Sequence, residues 1–202
     1  VGLWRSGQIK TGIMGSRNEN DEKFIKFISR IGTTNKIFTL HMIDSEETID
    51  KLSKINVFDC RPWKNAMGNK FIGKGFLQTK NYDLTHRHFG NIDNIHEMRD
   101  SLNAVIAGFL GGDNETALVR WYVHIKKIID GATVCATWLS KGHNVIVNCS
   151  DGWDRTPQIC STTKLLLNPL FRTFKGFQAL ICYEWIGFGH QFHKRTSFEG
   201  FD

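Results

Sequence analysis

Apolar residues recur at helical spacing in residues 19–31, ENDEKFIKFISRI, and this pattern predicts an amphipathic helix. Asn18 or Asn20 is expected to cap its start, and the acidic residues of the first turn lie near the positive end of the helix dipole. The face that we expect to pack inward contains Phe24, Ile25, Phe27, Ile28 and Ile31.

Shorter apolar runs bounded by turn residues are typical of strands. They predict strands over three segments: 35–43, 55–60 and 143–149. Residues 45–55 predict a short helix, and Arg61-Pro62 should end the second strand because proline cannot donate to a ladder. The run HNVIVNC at 143–149 is apolar enough for the centre of a sheet. Residues 63–92, rich in Gly, Asn and Lys, are predicted to form a long loop.

Longer periodic segments predict helices over 94–110, 114–130, 131–141 and from about Arg155 to Leu167, followed by a helical, aromatic segment over 176–195. Pro157 suits the first turn of the helix that starts near Arg155. The residues expected to face inward on that helix are Ile159, Thr163, Leu166 and Leu167. Strands separated by helices predict an α/β domain, with helices flanking a central sheet, as a single domain over residues 1–202.

The composition limits the classes of partner that the protein could bind but does not decide between them. The 202 residues carry a net charge of +6, which favours anionic partners such as nucleic acid, an acidic membrane surface or a phosphorylated substrate. No run of five basic residues and no aromatic RNA-binding motif occurs, which weighs against nucleic acid. The five cysteines are irregularly spaced and lack a C-x-x-C pair, so we expect neither a disulfide framework nor a zinc site, and a reducing compartment is favoured.

The strongest chemical signal is NCSDGWDRTPQ at 148–158, an apolar strand followed by a glycine-containing turn and a helix start. In such a loop, backbone N–H groups and the positive helix end favour an anion. The same field stabilises a thiolate, so Cys149 is predicted to be a nucleophile. Arg155 offers a planar fork to two phosphate oxygens. We call residues 149–155 the phosphate loop.

These residues indicate phosphoester hydrolysis through a cysteinyl-phosphate. Cys149 attacks phosphorus, and the loop N–H groups and Arg155 stabilise the equatorial oxygens. An acid then protonates the leaving alkoxide, and Asp151 and Asp154 are the nearby candidates. Either aspartate could instead shape the turn by bonding backbone amides.

The segment CSDGWDRT at 149–156 resembles the signature of the myotubularin phosphatases, which are relatives of the protein tyrosine phosphatases. Segments similar to that family occur in family order at 15–25, 58–75, 94–102, 171–181 and 184–192. The resemblance implies a protein-tyrosine-phosphatase-like fold and hydrolysis of the 3-phosphate of phosphatidylinositol 3-phosphate and of the 3,5-bisphosphate, without a metal or other cofactor. It also implies an incomplete catalytic domain over 1–202 that lacks the N-terminal lipid-binding domain. The expected location is the cytoplasm, at the surface of endosomal membranes. The resemblance leaves open whether homo- or hetero-oligomers form through regions outside this chain.

The resemblance also implies residue roles. The catalytic residues are Cys149, Arg155 and, as general acid, Asp154. The implied substrate-binding residues are Ser150, Asp151, Gly152, Trp153, Asn69, Asn94, Ile95 and Arg195. From the residues alone, Asn69 could simply turn its loop, Asn94 could cap a helix and Arg195 could be solvated. His86 and His88 alternate as in a strand but lack a third ligand, so we expect them at the surface.

Several positions depart from the family pattern. Asn148 stands in place of the usual histidine before the cysteine, and Gln191 stands where the family often has a basic residue. Pro157 replaces a usual alanine, and residues 36–56 look like an insertion. Three other functions therefore remain as alternatives: a phosphoinositide-binding protein without turnover, a protein tyrosine or dual-specificity phosphatase, and nucleic-acid binding.

Overall fold

A computed structural model describes residues 1–9, 17–31, 54–78, 82, 84–111 and 114–196. The strands in these ranges are β1 (Leu3–Ser6), β2 (Ile55–Asp59), β3 (Thr85–Phe89) and β4 (Val145–Asn148). The helices are α1 (Glu19–Ile31), α2 (Trp63–Gly68), α3 (Ile95–Phe109), α4 (Asn114–Ser140), α5 (Arg155–Leu167), α6 (Phe174–Ile181) and α7 (Phe192–Thr196). Short 3₁₀ turns occur at Asn69–Ile72 and Pro169–Arg172, and a π-helical turn at Cys182–Ile186 continues α6.

The strands form a parallel sheet in the order β1-β4-β2-β3. β4 lies between β1 and β2 and is buried along its length, as the apolar run at 143–149 predicts. The register places Ser6, Asn148, Asp59 and Phe89 in one row at the carboxyl ends of the four strands. The residues that follow this row meet at one edge of the sheet, where open parallel sheets bind their ligands.

Each face of the sheet has its own apolar core. One core contains Phe58, Val145 and Val147 of the sheet together with Cys135 of α4 and Ile159 of α5. The other contains Val57 and Ile146 with Ile25 and Ile28 of α1. Full burial of one large apolar side chain is worth about 1.5–3 kcal/mol, so both layers hold the sheet in place. The predicted α/β domain with helices flanking a central sheet is confirmed.

Helix α1 covers the predicted range, and Asn18 is its cap, with its Oδ1 accepting hydrogen bonds from two backbone N–H groups at 2.9 and 3.3 Å. Ile25 and Ile28 are buried, as predicted. The inward placement of Phe24 and Phe27 is wrong: they are 51% and 44% exposed, and their rings stack on each other. The buried stripe is narrower than the apolar face: it contains Ile25, Ile28 and Ser29, while Phe24 lies at its margin with its ring edge-on to Trp4 of β1.

The long loop predicted for 63–92 is also wrong, since this segment contains α2, a 3₁₀ turn and β3. Pro62 precedes α2 with φ −61°, a value that suits a helix start. β3 is an edge strand that pairs with β2 from Thr85 to Phe89. His86 and His88 are exposed on it, which agrees with their expected surface position. The high glycine and asparagine content of this segment does not indicate a strand. β3 forms because its backbone pairs with that of β2, and composition does not reveal this pairing.

Helix α4 is one continuous helix, so the predicted break between 130 and 131 is wrong. Gly131 is buried in its middle, where a Cβ would come within 2.7 Å of the Phe58 ring and 3.0 Å of Ile159. The glycine therefore permits close packing on the sheet and on α5, and does not end the helix.

Helix α5 spans Arg155–Leu167, as predicted, with Pro157 in its first turn. Ile159 and Thr163 are buried, but the inward placement of Leu166 and Leu167 is wrong because both are exposed at the end of the helix. The strand predicted at 35–43, most of the helix predicted at 45–55 and most of the segment read as an insertion lie outside the described residues. In the described ranges, every helix falls short of the combined length and apolarity that crossing a bilayer requires.

Candidate active site

Cys149 lies at the carboxyl edge of the sheet, directly after β4, and Arg155 is the first residue of α5. Both side chains are buried: Cys149 is 2% exposed and Arg155 is 9% exposed. The Arg155 Nη2 donates to Ser150 Oγ at 3.1 Å, and its Nη1 approaches the Ile92 carbonyl oxygen at 3.3 Å. The guanidinium is therefore directed into the phosphate loop, and the strand, loop and helix predicted around it are present.

Gly152 gives the phosphate loop its sharp turn. Its φ is +87°, and a Cβ at this position would lie 3.1 Å from the Ser6 carbonyl oxygen, so a larger residue would be strained and crowded. The Gly152 N–H points at Cys149 Sγ, with 3.3 Å between nitrogen and sulfur. The sulfur therefore lies on the amide-lined side of the loop turn.

Three carbonyl groups of the loop are held from outside it. The Ser150 carbonyl accepts from Gln8 N at 3.0 Å, and the Gly152 carbonyl accepts from Arg5 Nη2 at 2.6 Å. The Trp153 carbonyl accepts from His190 Nδ1 at 2.6 Å, which places the proton on Nδ1 because a carbonyl can only accept. We call these bonds the carbonyl clamps.

The carbonyl clamps fix the direction of the loop amides. In a trans peptide the C=O and the following N–H point in opposite directions. The N–H groups of Asp151, Trp153 and Asp154 are therefore directed away from the clamping residues, toward the inner side of the loop. Together with the positive end of α5, they form a concave set of donors suited to an anion.

Arg5 is itself held by a buried charge network. Its Nη1 lies 2.6 Å from Glu184 Oε2 and 2.6 Å from the Glu184 carbonyl oxygen, and Glu184 is 2% exposed. Lys164 of α5 pairs with the other carboxylate oxygen of Glu184. The Phe188 ring lies under the guanidinium of Arg5, 3.9 Å from its centre. Sequence reasoning missed Arg5, because its partners lie 147 and 179 positions away and no local pattern marks the contact.

Asp154 is engaged by two basic side chains. Arg195 donates to both of its carboxylate oxygens, at 3.0 and 2.8 Å, and His190 Nδ1 lies 3.4 Å from Oδ1. The hydrogen bond to Asp154 raises the pKa of Arg195 further above its usual value. Asp151 is exposed, and no hydrogen bond or ion pair within the described ranges holds its carboxylate. The two candidate acids thus sit in very different surroundings.

Asn69 lies next to the phosphate loop, but its side-chain amide already has a hydrogen-bond partner. Asn69 Nδ2 donates to Gln8 Oε1 at 3.1 Å, and the same oxygen accepts from Arg61 Nη1 at 2.5 Å. Arg61 is fully buried and bonded to Asp59 at 2.7 and 2.9 Å. Sequence reasoning missed Gln8, which connects β1, Asn69 and the Ser150 carbonyl.

Asn94 and Ile95 lie where α3 begins, close to Ile92, whose carbonyl meets Arg155. The Asn94 side chain caps α3 by accepting from two backbone N–H groups at 2.9 and 3.1 Å. Gln191 donates to the Gly189 carbonyl at 2.8 Å. Among the described residues, no three His, Cys, Asp or Glu side chains come together as a metal site.

Comparison with known proteins agrees with this geometry. The model of the myotubularin-like phosphatase domain family matches residues 1–200. The chain is 39% identical over 176 residues to a human protein named phosphatidylinositol-3-phosphate phosphatase MTMR7, an alignment of 78% of this chain and 26% of the relative. It is 35% identical over 199 residues to the Caenorhabditis elegans protein named phosphatidylinositol-3,5-bisphosphate 3-phosphatase MTMR3, covering 96% of this chain and 18% of the relative.

Xenopus laevis myotubularin is 34% identical over 203 residues, which covers 96% of this chain and 30% of the relative. The chain thus spans about a quarter of the length of these relatives. Because the family model covers nearly the whole sequence and the phosphate loop has the expected strand, turn and helix, the chain belongs to the myotubularin-like phosphatase domain family.

Proposed function

We propose that this chain is the catalytic region of a phosphoinositide 3-phosphatase with a protein-tyrosine-phosphatase-like fold. The observation that carries the proposal is the phosphate loop, in which the Gly152 N–H meets the Cys149 sulfur and the Arg155 guanidinium bonds Ser150 of the same loop. The relatives named as phosphatases of phosphatidylinositol 3-phosphate and 3,5-bisphosphate support the choice of substrate. The net charge of +6 supports work at an anionic membrane surface, in keeping with a cytoplasmic protein docked on endosomes.

In the proposed reaction, the phosphate monoester enters the loop and its equatorial oxygens meet the amides and the Arg155 fork. The Cys149 thiolate attacks phosphorus in line, the bond to the inositol oxygen breaks, and an acid supplies that oxygen with a proton. Water then hydrolyses the cysteinyl-phosphate and frees the sulfur. The donors stabilise charge as it develops on the oxygens, which is the main source of rate enhancement in such sites.

Substrate binding is proposed for the rest of the loop, Ser150, Gly152 and Trp153, and for the pocket walls that contain Asn69, Asn94 and Ile95. Arg195 is proposed to contact the headgroup. Its bidentate bond to Asp154 places a guanidinium beside the loop, where it can meet a second phosphate. Gln191 contributes no charge there, so the 3,5-bisphosphate is expected to gain less from this side of the pocket than it would from two cations.

The decisive experiment replaces the nucleophile. Cys149→Ser should lower phosphate release from short-chain phosphatidylinositol 3-phosphate by at least about a thousandfold, because the serine hydroxyl is not ionised at neutral pH. Cys182→Ser, which changes an exposed cysteine, is the matched control and should keep full activity. Circular dichroism checks that both variants are folded.

The alternatives give different results in the same assay. Turnover that survives in Cys149→Ser would contradict the mechanism. Lipid binding without phosphate release by the unmodified protein would indicate a binding protein, and preference for a phosphotyrosine peptide over all phosphoinositides would indicate a protein phosphatase.

A further inference from the structure

Cys60 and Cys149 occupy equivalent positions on neighbouring strands. Asp59 of β2 is in register with Asn148 of β4, so the residues that follow them lie side by side. The ladder continues past the strand ends, because Cys60 N donates to the Asn148 carbonyl at 2.8 Å. Neighbouring strands are about 4.8 Å apart, which lies within the range of about 4.4–6.8 Å between Cα atoms that a disulfide requires.

Both cysteines also point to the same side of the sheet. Side chains alternate along a strand, and Cys60 and Cys149 share the apolar core that contains Phe58 and Val147, each two residues earlier on its own strand. The two side chains are therefore on the same face of the sheet and side by side on neighbouring strands. Cys60 is fully buried and makes no contribution to the proposed phosphatase reaction.

We propose that Cys60 is a resolving cysteine that forms a reversible disulfide with Cys149 when the protein meets a peroxide. In the first step the Cys149 thiolate attacks hydrogen peroxide, which gives a sulfenic acid and hydroxide. In the second step the Cys60 sulfur attacks the Cys149 sulfur and the S–O bond breaks. The departing hydroxide takes the Cys60 proton, so one disulfide and one water are formed.

The surroundings of the two sulfurs fit this order of events. Burial, followed by the charge of nearby Cys149, raises the pKa of Cys60, so Cys60 stays protonated and does not compete for the peroxide. Cys149, with the Gly152 N–H on its sulfur, is the group that reacts first. The disulfide would protect Cys149 from irreversible oxidation to sulfinic acid.

The inference rests on the proposed function in one respect, since it takes Cys149 to be an ionised nucleophile. The test therefore uses mass rather than turnover. The purified protein is treated with hydrogen peroxide, blocked with iodoacetamide and digested without reductant. We expect a cross-linked peptide that contains both Cys60 and Cys149, about 2 Da lighter than the sum of its parts, and recovery of activity with dithiothreitol.

Cysteine variants identify which cysteine forms the disulfide with Cys149. Cys60→Ala should show no such peptide, and its Cys149 peptide should gain about 32 Da as sulfinic acid, with no recovery of activity. Cys160→Ala, which removes another buried cysteine of the same core, should keep the cross-link. If Cys60→Ala fails to fold, the peptide map of the unmodified protein decides alone.

A sulfinic acid at Cys149 without a cross-link, or a cross-link from Cys149 to Cys160, would overturn the proposal. A Cys60–Cys149 cross-link in a protein that releases no phosphate would leave the disulfide established and remove the proposed enzymatic function, so the two failures are distinguishable.

Discussion

Asp154 illustrates how the partners of one carboxylate limit what it can do. The family resemblance implies that this residue is the general acid, which must carry a proton before it can donate one. In the structure, both oxygens accept hydrogen bonds from Arg195, so neither is free to direct a proton at a leaving group. Asp154 could donate a proton only after Arg195 moves away. The geometry therefore favours Asp151 as the acid in this conformation, with Asp154 holding Arg195 beside the loop.

This division of roles predicts different kinetic defects for the two aspartates. A general acid protonates the leaving oxygen, so its loss matters least when the leaving group is already a weak base. We expect Asp151→Asn to lower kcat on short-chain phosphatidylinositol 3-phosphate much more than on p-nitrophenyl phosphate. Asp154→Asn should mainly raise KM, because Arg195 is no longer positioned. Rates on the two substrates, with the Cys182→Ser variant as control, provide the measurement. A loss of kcat that depends on the substrate in Asp154→Asn alone would reverse the assignment.

At the scale of the elements, the short strand β1 and the residues just after it hold two carbonyl groups of the phosphate loop. From this four-residue edge strand, Arg5 reaches the Gly152 carbonyl, and Gln8, just after it, reaches the Ser150 carbonyl. Neither residue contacts the position of the reacting phosphate through these bonds. In the proposed reaction both are positioning residues, which would hold the loop amides ready before an anion arrives and so lower the reorganisation needed in the transition state.

Replacement of Arg5 tests this role. Arg5→Met should lower kcat by about tenfold to a hundredfold, the equivalent of one lost charge-assisted hydrogen bond, with a smaller change in KM. Lys164→Met is the matched control, because it removes the other partner of Glu184 and leaves the Gly152 clamp in place. The control should lose stability in urea unfolding but keep its kcat. Equal loss of kcat in both variants would show that the network acts only through stability.

The elements that sequence patterns predict well are those whose residues interact locally. Helices α1 and α5 match their predicted ranges because caps, proline and helical periodicity lie within each segment, and β4 with its loop was recognisable from one apolar run. β1 and β3 were missed because short edge strands are stabilised by pairing with distant strands. The same reason hides Arg5, Gln8 and His190, since each acts on a loop that is 37 or more positions away in sequence.

At the scale of the whole molecule, buried thiols make stability depend on alkaline pH. Cys60, Cys135 and Cys160 are buried, and burial raises the pKa of all three thiols, that of Cys135 to about 12. In the unfolded chain the pKa of a thiol is about 8.5. Above that pH the unfolded state binds fewer protons than the folded state, so the free energy of unfolding falls as pH rises.

This effect can be isolated at one residue. Each buried thiol should contribute a slope of about 1.4 kcal/mol per pH unit above its unfolded pKa. Cys135→Ala removes one such contribution. Between pH 9 and 10.5, the unfolding free energy of the variant should therefore fall less steeply with pH than that of the unmodified protein. Urea titrations across this range measure it. The exposed Cys182, changed to alanine, should leave the slope unaltered, and a slope that Cys135→Ala does not change would contradict the prediction.

The bond between Arg5 and Gly152 joins residues 147 positions apart. Closing so large a loop is entropically costly and comes late when a chain folds, whereas helices such as α4 form from neighbouring residues. A newly made or refolding molecule would therefore regain its helical content before β1 docks and turns the loop amides inward. Helicity alone would then overstate the fraction of molecules able to capture a phosphate, and the last event of folding would also be the one that completes the anion site.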